Sequence, residues 1–213
     1  MLKRMDLGNP DAPVVLLQMV DDHDLEVIDS ELELIRSLSR QDVYLVTIKV
    51  NDWNDDLSPW PAEPVFGKDG FGGGAERTLQ FLLDEVVPEI RHGRPIYIGG
   101  YSLAGLFALW AAYRTDAFAG VAAASPSVWF PGFVDFVREE ELGAEAVYLS
   151  LGDKEEKARN PVMARVGDCI REIHEHLKQE GVPATLEWNQ GNHFREPDLR
   201  TAKAFAWILE ELK

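Results

Sequence analysis

Cysteine is almost absent. A single residue of 213, Cys169, rules out an internal disulfide framework. No apolar run approaches the ~20 residues a membrane helix needs; the longest stretches are strand-length. The opening Met1-Leu2-Lys3-Arg4-Met5-Asp6 lacks the apolar core of a secretory leader. Positive charge is also scarce, with 21 Lys and Arg against 37 Asp and Glu, a net charge of −16. That surplus repels nucleic acid and anionic membranes, so neither is an expected partner. Repeats and low-complexity linkers are missing too. The expectation is a cytoplasmic protein with residues 1–213 in one domain, a size that buries a full core without metal or disulfide.

What is present is alternation. Strand-like runs lie at 12–20, 43–50, 95–99, 120–124, 146–151 and 184–188. Helical patterns lie between and after them, at 24–39, 75–90, 103–115, 134–142, 161–179 and 199–212. Residues 51–74 read as a long irregular segment. Continuously apolar strands alternating with helices imply an α/β fold. The sheet is doubly wound and mostly parallel, of about six strands, with helices on both faces. Ligands in such sheets bind beyond the carboxyl ends of the strands, so the loops that follow strands are the site candidates.

The most informative of these loops is Gly99-Gly100-Tyr101-Ser102-Leu103-Ala104-Gly105, a strand, one turn and a helix. A nucleophile elbow exposes its serine at such a turn and needs small neighbours where strand and helix pass. Gly100 and Ala104 are small, with Ala104 where glycine is more usual. The alternative reading of Ser102 is a helix cap in a Gly-rich turn. Chain order separates the two, because a serine at an elbow is followed first by an acid and then by a histidine. Asp153, Glu155 and Glu156 follow the strand at 146–151, and His193 follows the strand at 184–188. The other histidines have simpler explanations. His174 and His176 sit two apart on a helix and face different sides, and His92 lies near a helix end. Asp21, Asp22, His23 and Asp24 have the composition of a metal cluster, but a solvated loop with a helix cap is the favoured reading, and neither metal nor cofactor is expected.

The sequence here resembles the α/β-hydrolase esterase group that includes esterase D and the enterochelin-type siderophore esterases. The likeness is carried by Asn51-Asp52-Trp53-Asn54 with Ser58-Pro59-Trp60, and by Phe71-Gly72-Gly73-Gly74-Ala75. It continues through Val87-Pro88-Glu89-Ile90, the elbow, Ser125-Pro126-Ser127-Val128-Trp129 and Gly191-Asn192-His193-Phe194. It spans roughly residues 13–210. The resemblance implies that the first two strands of the full fold are missing and that there is no separate lid domain. It places the acid three residues after a strand-end glycine, which from Gly152 is Glu155, with Glu156 and then Asp153 as rivals. Ser102 is then the nucleophile and His193 the general base.

The backbone N–H of Leu103 is the first expected oxyanion donor, and the second is expected near Val20 or Asp21. The loop after the first strand lacks the glycine usual in the group. Asp21, Trp60, Tyr101 and Trp129 are the candidate substrate-binding residues, with Trp53 and Phe66 on the same side of the sheet. These aromatics serve equally well as pins for the 51–74 loop. Trp188, Phe205, Trp207, Cys169, Met163 and Leu177 read as core. The leading function is a serine hydrolase cleaving a small-molecule carboxylic ester. A thioesterase or amidase would use the same parts. A non-catalytic binding protein of this fold and a metal-dependent hydrolase at Asp21–Asp24 are the readings from other classes, and homo-oligomerisation is left open.

Overall fold

The structure is a computed structural model that describes residues 2–65 and 67–213. In chain order it runs β1 (Lys3–Gly8), β2 (Val15–Val20), α1 (Asp22–Ser39), β3 (Tyr44–Lys49), α2 (Trp53–Asp56), β4 (Pro61–Ala62) and β5 (Phe71–Gly72). There follow α3 (Ala75–Phe81), a π-helical turn Leu82–Val86, α4 (Val87–Ile90), β6 (Ile96–Tyr101), α5 (Leu103–Ala112), β7 (Gly120–Ala124) and α6 (Phe133–Glu139). The chain closes with β8 (Ala146–Gly152), a 3₁₀ turn Glu155–Lys157, α7 (Pro161–Ala164), α8 (Val166–Gln179), β9 (Ala184–Asn189) and α9 (Pro197–Glu211).

Seven strands form one sheet in the order β1-β3-β2-β6-β7-β8-β9. All neighbours are parallel except β1 on β3. The expected six strands fall one short, because β1 precedes them and pairs along the whole of β3, from Lys3 opposite Lys49 to Gly8 opposite Tyr44. Its charged residues suit an edge position, where polar side chains blunt the open ladder. Arg4 and Asp6 pair at 2.7 Å, and the Tyr44 hydroxyl donates to Asp6 at 2.6 Å.

Each central strand sends alternate side chains to opposite faces. In β2, Val15, Leu17 and Met19 join the core under α3, α5, α6 and α8, whereas Leu16 and Val20 join the core under α1 and α9. α5 is buried at every position, as its all-apolar sequence implies. The long helix expected over 75–90 is interrupted by the π-helical turn just ahead of Pro88, which has no N–H to give to the preceding turn. The irregular 51–74 segment contains α2 and the β4–β5 ribbon.

Of the residues expected in the core, Trp188 lies outside it, and Trp207 and Met163 sit at its margin, packed against it. Trp188 is 39% exposed on the edge strand β9, with the Arg171 guanidinium 4.7 Å from its ring centroid. Trp207 and Met163 are half-buried. Phe205, Cys169 and Leu177 are buried as expected. No helix among the described residues is long and apolar enough to cross a membrane.

Candidate active site

β6, β7, β8 and β9 end on one edge of the sheet, and the loops that leave them meet there. β6 passes into α5 through Ser102 alone, whose backbone is held at φ 59° and ψ −120°. Residues with side chains rarely adopt that geometry unless their surroundings impose it. Here the Ser102 N–H donates to Ala124 O at 3.1 Å. The Ser102 carbonyl accepts from Leu106 N–H and Ser127 N–H, each at 3.0 Å. Strand and helix pass so closely that a Cβ on Gly100 would stand 2.7 Å from the Ala104 Cβ. The pair therefore tolerates one methyl and not two.

The loop after β9 delivers His193. Its Nε2 lies 2.9 Å from Ser102 Oγ, and its Nδ1 lies 2.7 Å from Glu155 Oε2. Glu155 begins the 3₁₀ turn after β8 and is 7% exposed. Its other oxygen, Oε1, accepts from Gly152 N–H at 2.7 Å, Ser125 Oγ–H at 2.8 Å and Arg200 at 3.0 Å. Burial pushes this carboxyl upward. The hydrogen bond and charge of His193 oppose that, followed by Gly152 and Ser125, and the balance holds Glu155 below its ordinary value. Glu156 turns away to Arg171 at 2.7 Å, and Asp153 accepts Gly191 N–H at 2.8 Å.

Behind this run lies Arg200 of α9, 1% exposed. One guanidinium nitrogen serves Glu155 Oε1, Ser125 Oγ at 3.2 Å and the Tyr101 hydroxyl at 3.0 Å. The other donates to Gln190 O at 3.2 Å and Asn192 O at 3.1 Å, within the loop that carries His193. Tyr101 in turn donates to His193 O at 2.7 Å. One buried cation thus ties the acid loop, the histidine loop and the end of β6 together.

In front of Ser102 opens a cleft of about 550 Å³, walled mainly by apolar side chains that include Trp53, Phe71, Leu103, Trp129, Met163 and Phe194. Phe194 is 86% exposed and stands edge-on to the His193 ring at 5.6 Å.

The candidate residues from the sequence divide between cleft and frame. Ser102, Leu103, Trp129, Glu155 and His193 line the cleft. Trp60 does not; its Nε1–H donates to Pro131 O at 2.9 Å, and its ring packs against Phe130 and Phe136, so it pins the 51–74 loop. Tyr101 stands beside the His193 ring, 5.1 Å between centroids, and burial pushes its hydroxyl up to about 12. Asp21 is the N-cap of α1, in a reciprocal capping box with Asp24. Its N–H donates to the Asp24 carboxylate at 3.1 Å, which takes it out of reach of a second oxyanion role. Val20 is fully buried at the end of β2 and does not reach the cleft. Phe66 lies outside the described residues.

Sequence reasoning overlooked Ser127, whose hydroxyl is 3.3 Å from Ser102 Oγ, and also Ser125, Arg200 and the cleft position of Met163. Arg200 did leave a signal. It shares a buried helical stripe with Ala204 and Ile208, and a cation on such a stripe demands a buried partner.

Residues 12–198 match the model of the family described as "Putative esterase". The chain belongs to that family. It is accordingly a carboxylic ester hydrolase. No curated protein matches it. Solved structures resemble it throughout. The siderophore hydrolase EstA from Aspergillus nidulans has a TM-score of 0.73 at 16% identity, over 100% of this chain and 95% of its own. An IroE-like serine hydrolase from Shewanella oneidensis gives 0.78 at 17%, over 99% of this chain and 76% of its own. The enterobactin esterase FES from Shigella flexneri, determined with 2,3-dihydroxy-N-benzoyl-glycine, gives 0.69 at 15%; this chain covers 56% of it. At such identities the likeness is one of fold.

Proposed function

We propose that the chain cleaves esters through an acyl-enzyme on Ser102. His193 Nε2 takes the hydroxyl proton as Ser102 Oγ attacks the ester carbonyl, and then returns it to the departing alcohol. A water molecule, deprotonated by the same nitrogen, releases the acid and restores the serine. Glu155 holds the imidazole with Nδ1 protonated and stabilises the imidazolium formed in each half-reaction. The Leu103 N–H, at the start of α5, is the proposed backbone donor to the oxyanion. The Ser127 hydroxyl is proposed as its side-chain companion, in place of the donor expected near Val20 and Asp21.

The observation that carries this reading is the continuous run from Glu155 Oε2 through His193 to Ser102 Oγ, at 2.7 and 2.9 Å. A fluorophosphonate probe tests it. The native chain is expected to take up one label and to hydrolyse 4-nitrophenyl acetate. Ser102→Ala is expected to lose both, with turnover down by as much as ~10⁶, and to keep its circular-dichroism spectrum. Label retained in that variant would overturn the assignment. An unlabelled, inactive native chain would favour a binding protein of this fold.

A further inference from the structure

Two lysines, Lys154 and Lys157, are among the residues that line the cleft, and both are exposed. Both belong to the loop after β8 that also supplies Glu155. The chain is acidic overall, at −16, and several of its cations stand in ion pairs, as Arg4, Arg77, Arg138 and Arg171 do. The carboxylates closest to the two lysines in sequence are all engaged elsewhere. Asp153 holds the Gly191 N–H, Glu155 holds His193 and Arg200, and Glu156 holds Arg171. Among the described residues, neither ammonium has a carboxylate partner.

Building on the ester-cleaving reading, we infer that Lys154 and Lys157 form an anion-binding subsite that selects esters bearing a negative charge, such as a carboxylate, on the acyl or the alcohol part. The apolar walls hold the body of the substrate, and the two lysines receive its charged end. The net charge of −16 disfavours anions at long range, so selection has to arise at short range, from the two lysines at the cleft that no carboxylate neutralises. An ammonium on a flexible arm suits such a role, since it meets a carboxylate or phosphate without demanding one planar geometry.

The test uses matched ester pairs. 4-Acetoxybenzoate against 4-acetoxybenzamide places the charge on the leaving group. Mono-4-nitrophenyl adipate against 4-nitrophenyl hexanoate places it on the acyl chain. In at least one pair, Lys154→Gln/Lys157→Gln is expected to lower kcat/KM for the anionic ester about tenfold more than for its neutral partner, mainly through KM. The native-to-variant ratio for that ester is expected to shrink toward one as salt is raised from 20 to 500 mM, because screening shortens the reach of the lysines. Equal losses on charged and neutral members of both pairs would overturn the subsite. Fluorophosphonate labelling of Ser102 in the double variant separates this outcome from failure of the serine reading. A labelled variant that hydrolyses the neutral esters without charge selectivity defeats the subsite alone, and a native chain that neither labels nor hydrolyses any ester defeats the reading beneath it.

Discussion

At the residue scale, neighbouring side chains on one loop have separate duties. Glu155 and Glu156 are adjacent, yet one is buried against His193 and the other pairs with Arg171 at the surface. Glu155→Gln is therefore expected to cut ester turnover by up to ~10⁴ through loss of the productive tautomer. Glu156→Gln gives up a half-exposed ion pair and is expected to change activity little, since such pairs contribute 0–1 kcal/mol. Parallel assays on one ester check the contrast. Arg200 acts through Glu155 and the His193 loop. Arg200→Met leaves a carboxylate buried beside His193 without the cation that pairs with it, and breaking a buried pair in this way costs about 3–5 kcal/mol. A fall in both melting temperature and turnover is expected. Arg200→Lys is expected to recover little of either, because one ammonium cannot span Glu155 Oε1 and the carbonyls of Gln190 and Asn192. Glu155 was legible through the resemblance, which implies an acid three residues after the strand-end Gly152. Arg200 was not, because its partner lies 45 residues away and only the packing of α9 brings them together.

At the element scale, the β6–turn–α5 unit was readable because its constraint is local. A strand must reverse into a helix within one residue, and only small side chains leave room. Gly100→Ala puts two methyl groups 2.7 Å apart and is expected to destabilise the fold by about 1–3 kcal/mol, the usual cost of overpacking, while displacing Ser102 and lowering turnover. Adding Ala104→Gly to that variant is expected to restore part of both, measured by thermal melting and ester hydrolysis. Elements without such a local signature were missed. β1 alternates charged and apolar residues at an edge, where pairing with β3 alone decides its conformation. Trp60 was ambiguous because sequence gives its place on a loop and not the direction of its ring. Trp188 was misjudged because nothing in the sequence says that β9 is an edge.

At the scale of the whole molecule, buried acids couple stability to pH. The face under α1 and α9 buries Gln18 and Glu31, and one carboxyl oxygen of Glu31 and the side-chain oxygen of Gln18 have no hydrogen-bond partner among the described residues. Burial first, and then the charge of Asp24, push the Glu31 carboxyl well above its ordinary value, with Gln18 opposing. Asp24 is itself raised to about 6, chiefly by burial. At these two acids the folded chain thus binds protons that the unfolded chain has released, and linkage then requires their contribution to stability to fall as pH rises. Stability from Glu31 is full below the ordinary carboxyl range and declines as pH climbs toward the raised folded value. Glu31→Gln removes that proton dependence at nearly constant shape. It is expected to gain on the native chain progressively from pH 4.5 to pH 8, by at most about 1.4 kcal/mol per pH unit. Denaturant titrations at the two pH values check the sign. A gain confined to the acid side would contradict it.

The grip of Arg200 on two loops also bears on how the protein is made. Ser102 comes first in sequence, and Glu155 and His193 follow it, but the side chain that ties their loops together sits in α9, which comes after all three. A polypeptide still on the ribosome can hold the elbow and most of the sheet before α9 has emerged and docked. Until then Glu155 and the His193 loop lack the cation they share. Alignment of the proposed triad thus waits on the docking of α9, and a chain cut before residue 197 would carry Ser102 without the brace between the Glu155 and His193 loops.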